Sequence, residues 1–172
     1  MRLPVSPIPG YIATLLVFGE EIVSDKDQIA KLVPIASDRH QLQAAQHEAA
    51  RRLLHYDGEV YPHDGCAITL SVLLQDAGIA VSDVYQAIAL GDTLKTARNW
   101  HVVAVGKQQS GDVGSTCGTT PHHGIDHIYL VLKVLNEDEM VIADNQQPAP
   151  HFRFASGNGG KSPTKFFLRV TA

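Results

Sequence analysis

The stretch His127-Ile-Tyr-Leu-Val-Leu-Lys-Val-Leu-Asn-Glu-Asp-Glu-Met-Val-Ile-Ala-Asp-Asn145 decides the fold class. Residues 127–135 and 140–143 are apolar and rich in β-branched side chains, which is typical of strands, and four polar residues separate them. The pattern predicts an antiparallel hairpin. Because the two ends of a hairpin return to the same rim of a sheet, we expect His127 to lie beside Asp144 and Asn145.

Upstream of this hairpin the periodicity is helical. Apolar residues recur at spacings of three and four, and capping residues mark the helix ends. The pattern predicts helices over residues 24–33, stopped by Pro34, and over 37–55, 66–77 and 82–91. Strands are predicted at residues 100–105 and 165–170, in addition to the hairpin. Helices that come first and antiparallel strands that follow predict an α+β fold, with N-terminal helices packed on a central antiparallel sheet.

Length and charge restrict the function classes. The chain has 172 residues and a formal net charge of -4, and no basic stripe of the kind that binds nucleic acid. The longest apolar run, residues 11–18, is too short to cross a membrane, and no signal peptide is recognised. We expect an irregular arm and two helices over residues 1–55, packed on a core formed by residues 56–172.

Cys66 is the best candidate for a nucleophile. It is the first residue of a predicted helix and follows the loop Asp64-Gly65. The amide groups and the partial positive charge at a helix N-terminus stabilise a thiolate, which is the reactive form of cysteine. The alternative is that Cys66 is a small buried residue of a core helix.

A cysteine nucleophile needs a base, and the base needs an acceptor that orients it. His127, at the start of the long strand, is the candidate base. The acceptor is Asp144 or Asn145; neighbouring side chains on a strand point to opposite faces, so the strand phase selects between them. We favour Asp144 because of its charge.

Four segments carry a resemblance to a known family. These are the loop Tyr56-Asp-Gly-Glu-Val-Tyr-Pro-His-Asp-Gly65, the helix Cys66-Ala-Ile-Thr-Leu-Ser-Val-Leu-Leu-Gln-Asp-Ala-Gly-Ile79, the segment Ser110-Gly-Asp-Val113 and the strand His127-Ile-Tyr-Leu-Val-Leu132. Their order resembles that of the NlpC-type cell-wall cysteine peptidases of the papain-like superfamily. The hairpin ending at Asp144 and Asn145 is also similar to that of the related cysteine, histidine-dependent amidohydrolases (CHAP).

The resemblance implies a papain-like fold and a cysteine peptidase or amidase that hydrolyses amide bonds in peptidoglycan peptides. It implies that Tyr56, or else Tyr61, lies near the nucleophile or the oxyanion. Asp64, Tyr61, His63 and His123 are expected to line the substrate cleft. Thiol chemistry needs no cofactor. A wall hydrolase acts outside the cytoplasm, so we expect secreted or periplasmic action by a route that the sequence does not show. An immunity or inhibitor protein that plugs the cleft is a possible partner, by analogy alone.

Two other function classes compete with this hypothesis. Cys117, His122, His123 and His127 lie close together in the sequence and suggest a zinc-dependent hydrolase, although no Cys-x-x-Cys pair accompanies them. A binding module that keeps the papain-like scaffold without turnover is suggested by Ala67, which stands where the family usually has serine. A disulfide between Cys66 and Cys117 is also conceivable and would block the proposed nucleophile.

Overall fold

The computed structural model describes residues 24–56, 58, 61 and 63–171. The arm predicted over residues 1–23 and parts of the predicted 56–65 loop lie outside the described residues. The described part is α+β, with four helices and one six-stranded sheet whose paired neighbours are all antiparallel. None of the described helices combines the length and apolar character needed to cross a membrane.

The helices precede the strands. They are α1 (Asp25–Ser37), α2 (Arg39–Tyr56), α3 (Cys66–Asp76) and α4 (Ala87–Thr96). The strands are β1 (His101–Val103), β2 (Val113–Ser115), β3 (Ile128–Val134), β4 (Glu139–Ala143), β5 (His151–Phe154) and β6 (Phe166–Arg169). Their order in the sheet is β1-β6-β2-β3-β4-β5.

Helix α3 is the centre of the helical layer. All nine residues from Cys66 to Leu74 are buried, and all but Thr69 and Ser71 are apolar, so this helix is surrounded by protein on every side. It ends at Gly78, whose positive φ of 91° suits glycine. Helices α1 and α2 pack against α3, and the same core reaches the sheet through β2, β3 and β6. The burial of α3 holds the residues at its N-terminus in a fixed position.

The hairpin formed by β3 and β4 has the predicted alternation. Tyr129, Val131 and Ile142 belong to a smaller apolar cluster, whereas Leu130 and Ala143 face the helical core. Leu130 pairs with Ala143 and Val131 with Ile142. This register places the residues that flank the hairpin, His127 and Asp144, at the same rim of the sheet.

Several element predictions were wrong in detail. Pro34 does not end α1: the helix continues to Ser37, and Ala36 is fully buried in the core, because a proline removes only one hydrogen bond of the ladder and packing compensates for it. The helix predicted over 82–91 instead begins at Ala87, where a buried stripe of Ala87, Leu90 and Leu94 starts. Strands β2 and β5 were not predicted as elements.

Candidate active site

Cys66 begins helix α3, as predicted. Its N-cap, Gly65, has no side chain, and the residue before it, Asp64, adopts a left-handed backbone conformation with φ of 57°. This tight turn brings the chain onto the buried helix. Cys66 is 8% exposed and lines two neighbouring cavities. The thiol therefore lies at the junction of two spaces that a ligand can reach.

His127 precedes β3 and is fixed through its backbone. Its amide donates to Thr116 Oγ1 at 2.8 Å, and its carbonyl accepts from the Thr116 amide at 3.0 Å. The ring lies over Tyr129, with 6.0 Å between the ring centroids. The imidazole is buried and has little freedom to move.

Asp144 follows β4 and contacts the imidazole. Its Oδ2 lies 2.8 Å from His127 Nε2, and its Oδ1 accepts from the Gln146 amide at 2.7 Å. The side chain is fully buried. The predicted proximity of the hairpin ends is confirmed, and Asp144 makes the hydrogen bond to the imidazole. Asn145 is buried beside it and lines the larger of the two cavities.

Hydrogen bonds on both sides of the imidazole control its protonation. Burial alone lowers the pKa of His127, but hydrogen bonds to Asp144 and to the Cys66 thiol outweigh burial and raise the pKa to about 9. The same hydrogen bond to His127 holds the pKa of the Asp144 carboxyl below its usual range, although burial alone raises it. Thiol, imidazole and carboxylate thus form a connected row in which the imidazole is able to take the thiol proton.

The two tyrosines occupy different places. Tyr56 ends α2, is 62% exposed, stacks on Tyr85 with 3.9 Å between ring centroids, and lines the smaller cavity together with Cys66. The hydroxyl of Tyr61 lies 3.3 Å from Thr69 Oγ1, one turn along α3 from Cys66. Burial raises the pKa of Tyr61 to about 12. Both tyrosines lie near the nucleophile, and Tyr56 has the more accessible ring.

Three of the four expected cleft residues line the two cavities, whereas Tyr61 lines neither. Asp64 and His123 line both, with Asp64 Oδ1 lying 3.4 Å from His123 Nδ1, and His63 lines only the larger. The smaller cavity, of about 220 Å³, has the aromatic side chains of Tyr56 and Tyr85 in its wall. The larger, of about 440 Å³, is polar and includes His127 and Asn145. The cavities meet at Cys66 from different sides.

The alternative zinc site is not formed. No group of three or more His, Cys, Asp or Glu side chains within the described ranges comes close enough together to hold a metal ion. Cys117 is 3% exposed, and burial raises the pKa of its thiol to about 11, whereas His122 and His123 are exposed on the loop. The ligand set suggested by the sequence is therefore divided between the core and the surface. Cys66 and Cys117 are both free thiols, so the conceivable disulfide is absent.

Three site residues were missed. Gln46 of α2 donates to the carbonyls of Asp144 and Gln147, at 2.8 and 2.7 Å, and so fixes the turn that carries the acid. His151 Nε2 lies 3.7 Å from Asp144 Oδ2, and Arg153 lines the larger cavity. His151 and Arg153 both lie on β5. A signal for them existed in the alternation of His151-Phe-Arg-Phe154, but four residues after Pro150 are a weak strand pattern.

Comparisons with protein-family models, curated proteins and solved structures gave no match.

Proposed function

We propose that this protein is a cysteine hydrolase that cleaves amide bonds through Cys66, His127 and Asp144. The observation that carries the proposal is the buried His127–Asp144 pair, with 2.8 Å between Nε2 and Oδ2, whose imidazole lies close enough to the Cys66 thiol at the N-terminus of α3 for that thiol to raise its pKa. A purely structural cysteine needs neither a helix N-terminus nor a buried histidine-carboxylate pair. Cys66 and His127 line the cavities, and Asp144 lies directly behind His127.

The chemistry follows from the positions of the groups. His127 takes the proton of Cys66 Sγ, and the thiolate attacks the carbonyl carbon of an amide. The oxyanion lies near the N-terminus of α3, where backbone amides point toward it. The imidazolium then donates its proton to the leaving nitrogen, and a thioester remains on Cys66. Water, activated by the neutral imidazole, hydrolyses the thioester and regenerates the thiol.

Asp144 keeps the ring in the tautomer that this cycle needs. Its carboxylate accepts a hydrogen bond from Nε2–H, so that the other ring nitrogen, Nδ1, is free to take the proton of the thiol. In the imidazolium state the buried carboxylate compensates the positive charge. The hydrogen bond that the Gln46 side chain donates to the Asp144 carbonyl, and the one that the Gln146 amide donates to Asp144 Oδ1, hold the acid in place.

We propose peptides of peptidoglycan as the substrate. The support is the resemblance of the Cys66, Gly-Asp and His127 segments to the NlpC-type peptidases, together with an α+β fold in which the helix that begins at Cys66 packs on an antiparallel sheet. Two cavities that meet at the nucleophile suit a chain that continues on both sides of the bond to be cleaved.

Incubation of purified peptidoglycan with the protein tests this function. We expect new amino groups and released peptide fragments, both measured by amine labelling and mass spectrometry. Cys66→Ala and His127→Ala should each lower the rate by about 10³-fold or more, while folding stays within about 1–2 kcal/mol of the wild type. Cys117→Ala is the matched control and should retain activity. Equal rates for wild type and Cys66→Ala would overturn the proposal.

A further inference from the structure

Arg153 is a buried cation in the wall of the larger cavity. It lies on β5, opposite Met140 of β4, and is only 4% exposed. The same cavity includes Cys66 and His127. The guanidinium thus borders the space into which the proposed nucleophile opens.

The partners of Arg153 within the protein are few. Nη2 donates to the carbonyl of Ser162 at 2.9 Å, and the guanidinium carbon lies 4.6 Å from the centre of the Tyr129 ring. Nε is buried with no hydrogen-bond partner. Among residues 24–56, 58, 61 and 63–171, no carboxylate lies within ion-pair distance of Arg153, although each of the other buried or half-buried arginines, Arg52, Arg98 and Arg169, has one.

A buried cation without a counter-ion is energetically unfavourable, because burial removes its water and nothing replaces the lost charge compensation. The contact with Tyr129 orients the guanidinium but carries no negative charge. Of the two acids of the cavity, Asp64 contacts His123, and Asp126 Oδ2 accepts from the His122 amide at 2.8 Å. The other oxygen of Asp126, Oδ1, is buried without a hydrogen-bond partner and makes no ion pair with Arg153. A ligand carboxylate is the missing group that the planar donor set of arginine fits best.

We infer that Arg153 is a specificity residue that binds a free carboxylate of the substrate next to the bond that Cys66 attacks. Lys161 lines the same cavity from its exposed side and adds a second positive charge, with Nζ donating to Gln146 Oε1 at 2.9 Å. The inference rests on the proposed function and narrows its substrate class to acidic peptides. The Tyr129 ring contacts both the Arg153 guanidinium and the His127 ring, so the proposed carboxylate site lies close to the base.

The test compares peptidoglycan stem peptides with the same peptides after their carboxylates have been converted to carboxamides by carbodiimide and ammonium chloride. Binding of both forms to the Cys66→Ala protein is measured by calorimetry, and hydrolysis of both by the wild type is followed as KM and kcat. We expect the acidic form to bind about tenfold to a hundredfold more tightly, as for a charge-assisted hydrogen-bonded pair. The difference should appear mainly in KM.

Arg153→Gln should bring the ratio between acidic and amidated peptides close to one, and Arg153→Lys should retain part of it. Arg39→Gln is the control, because Arg39 is exposed on α2 away from the cavities, and should leave the ratio unchanged. A merely structural role of Arg153 would weaken both forms equally, so a wild-type ratio retained in Arg153→Gln overturns the inference.

If Arg153→Gln does not fold, the ratio of the affinities for acidic and amidated peptides, measured on protein that keeps Arg153, is the deciding result. Equal binding of the two forms, or no binding of either, overturns the inference. Cleavage of both forms at equal rates also overturns it and leaves the proposed function standing. Preferential binding of the acidic form without any cleavage has the opposite meaning: the carboxylate site stands and the hydrolase proposal fails.

Discussion

The two cysteines are alike in burial and in being free thiols, but the groups around the two sulfurs differ. Cys66 is 8% exposed and Cys117 is 3% exposed, and both are free. Cys66 stands at a helix N-terminus with the His127 imidazole as its hydrogen-bond partner. Cys117 follows the end of β2, where its amide donates to Ser115 Oγ at 3.2 Å and burial raises the pKa of its thiol to about 11.

The difference teaches that burial alone does not assign a thiol its role. Desolvation favours the neutral thiol of Cys117. At Cys66 the adjacent base and the helix N-terminus provide charge compensation, and a cavity provides access. Cys117 lines neither of these two cavities, although both cysteines belong to the main apolar core. We therefore expect the two thiols to differ in every measurement of reactivity, with Cys66 the more reactive.

The largest expected effect is the ratio of alkylation rates. A thiol with a pKa of about 11 is ionised to roughly one part in ten thousand at pH 7. Iodoacetamide should therefore modify Cys66 at least about 100-fold faster than Cys117, as measured by peptide mapping over time. His127→Ala should reduce the Cys66 rate, because the thiolate then loses its imidazolium partner, and should leave Cys117 unchanged. Equal rates at the two cysteines in the wild type would contradict the comparison.

A smaller effect is expected from Asp144→Asn, which keeps the shape of the acid and removes its charge. The hydrogen bond to Asp144 is the strongest influence that raises the pKa of His127 toward about 9. In the variant this pKa falls, so the imidazolium that protonates the leaving amine is lost at a lower pH. We expect kcat/KM near pH 7 to drop by about 10²-fold, and its decline on the alkaline side to move to lower pH.

The pH profile of kcat/KM for Asn145→Ala is the matched comparison. Asn145 neighbours the acid in sequence and lines the larger cavity, whereas the hydrogen bond to the imidazole comes from Asp144. Its alkaline limb should therefore stay where the wild type has it, near pH 9. A shift in Asn145→Ala of the same size as in Asp144→Asn would reassign the orienting role.

The parts of the site that the sequence predicts are those that depend on local periodicity. The apolar runs of β3 and β4, with a short polar turn between them, are sufficient to bring His127 and Asp144 to one rim, because the two ends of an antiparallel hairpin return to the same edge. The helix start at Cys66 is equally local, since a turn former precedes a continuous apolar run. Strand phase does not choose Asp144 over Asn145, because Ile142 and Ala143 are both buried and both faces of β4 are apolar; the sequence favours Asp144 by its charge.

The parts that remained hidden depend on packing between distant segments. Arg153 reaches Tyr129 across the sheet, and Gln46 reaches the Asp144 carbonyl from α2, at a sequence distance of 98 residues. Neither contact has a local signature. Packing also explains why the zinc site does not form. Cys117 and His123 are close in the sequence, but Cys117 lies in the core and His123 lies on the surface.

The smallest expected effect concerns stability. Here replacement of Cys117 should have the larger effect and replacement of Cys66 the smaller, the reverse of their effects on activity. Cys117 packs in the main core, so Cys117→Ala removes a buried sulfur and should lower the free energy of unfolding by about 1 kcal/mol. Cys66→Ala also shortens a side chain, but next to open cavities in which the surroundings are already incomplete, so its loss should be smaller. Urea unfolding followed by circular dichroism measures both, with hydrolysis rates measured on the same samples. Because activity should be lost only in Cys66→Ala and stability mainly in Cys117→Ala, a variant that loses both together would show that the two thiols are not the independent sites that their surroundings indicate.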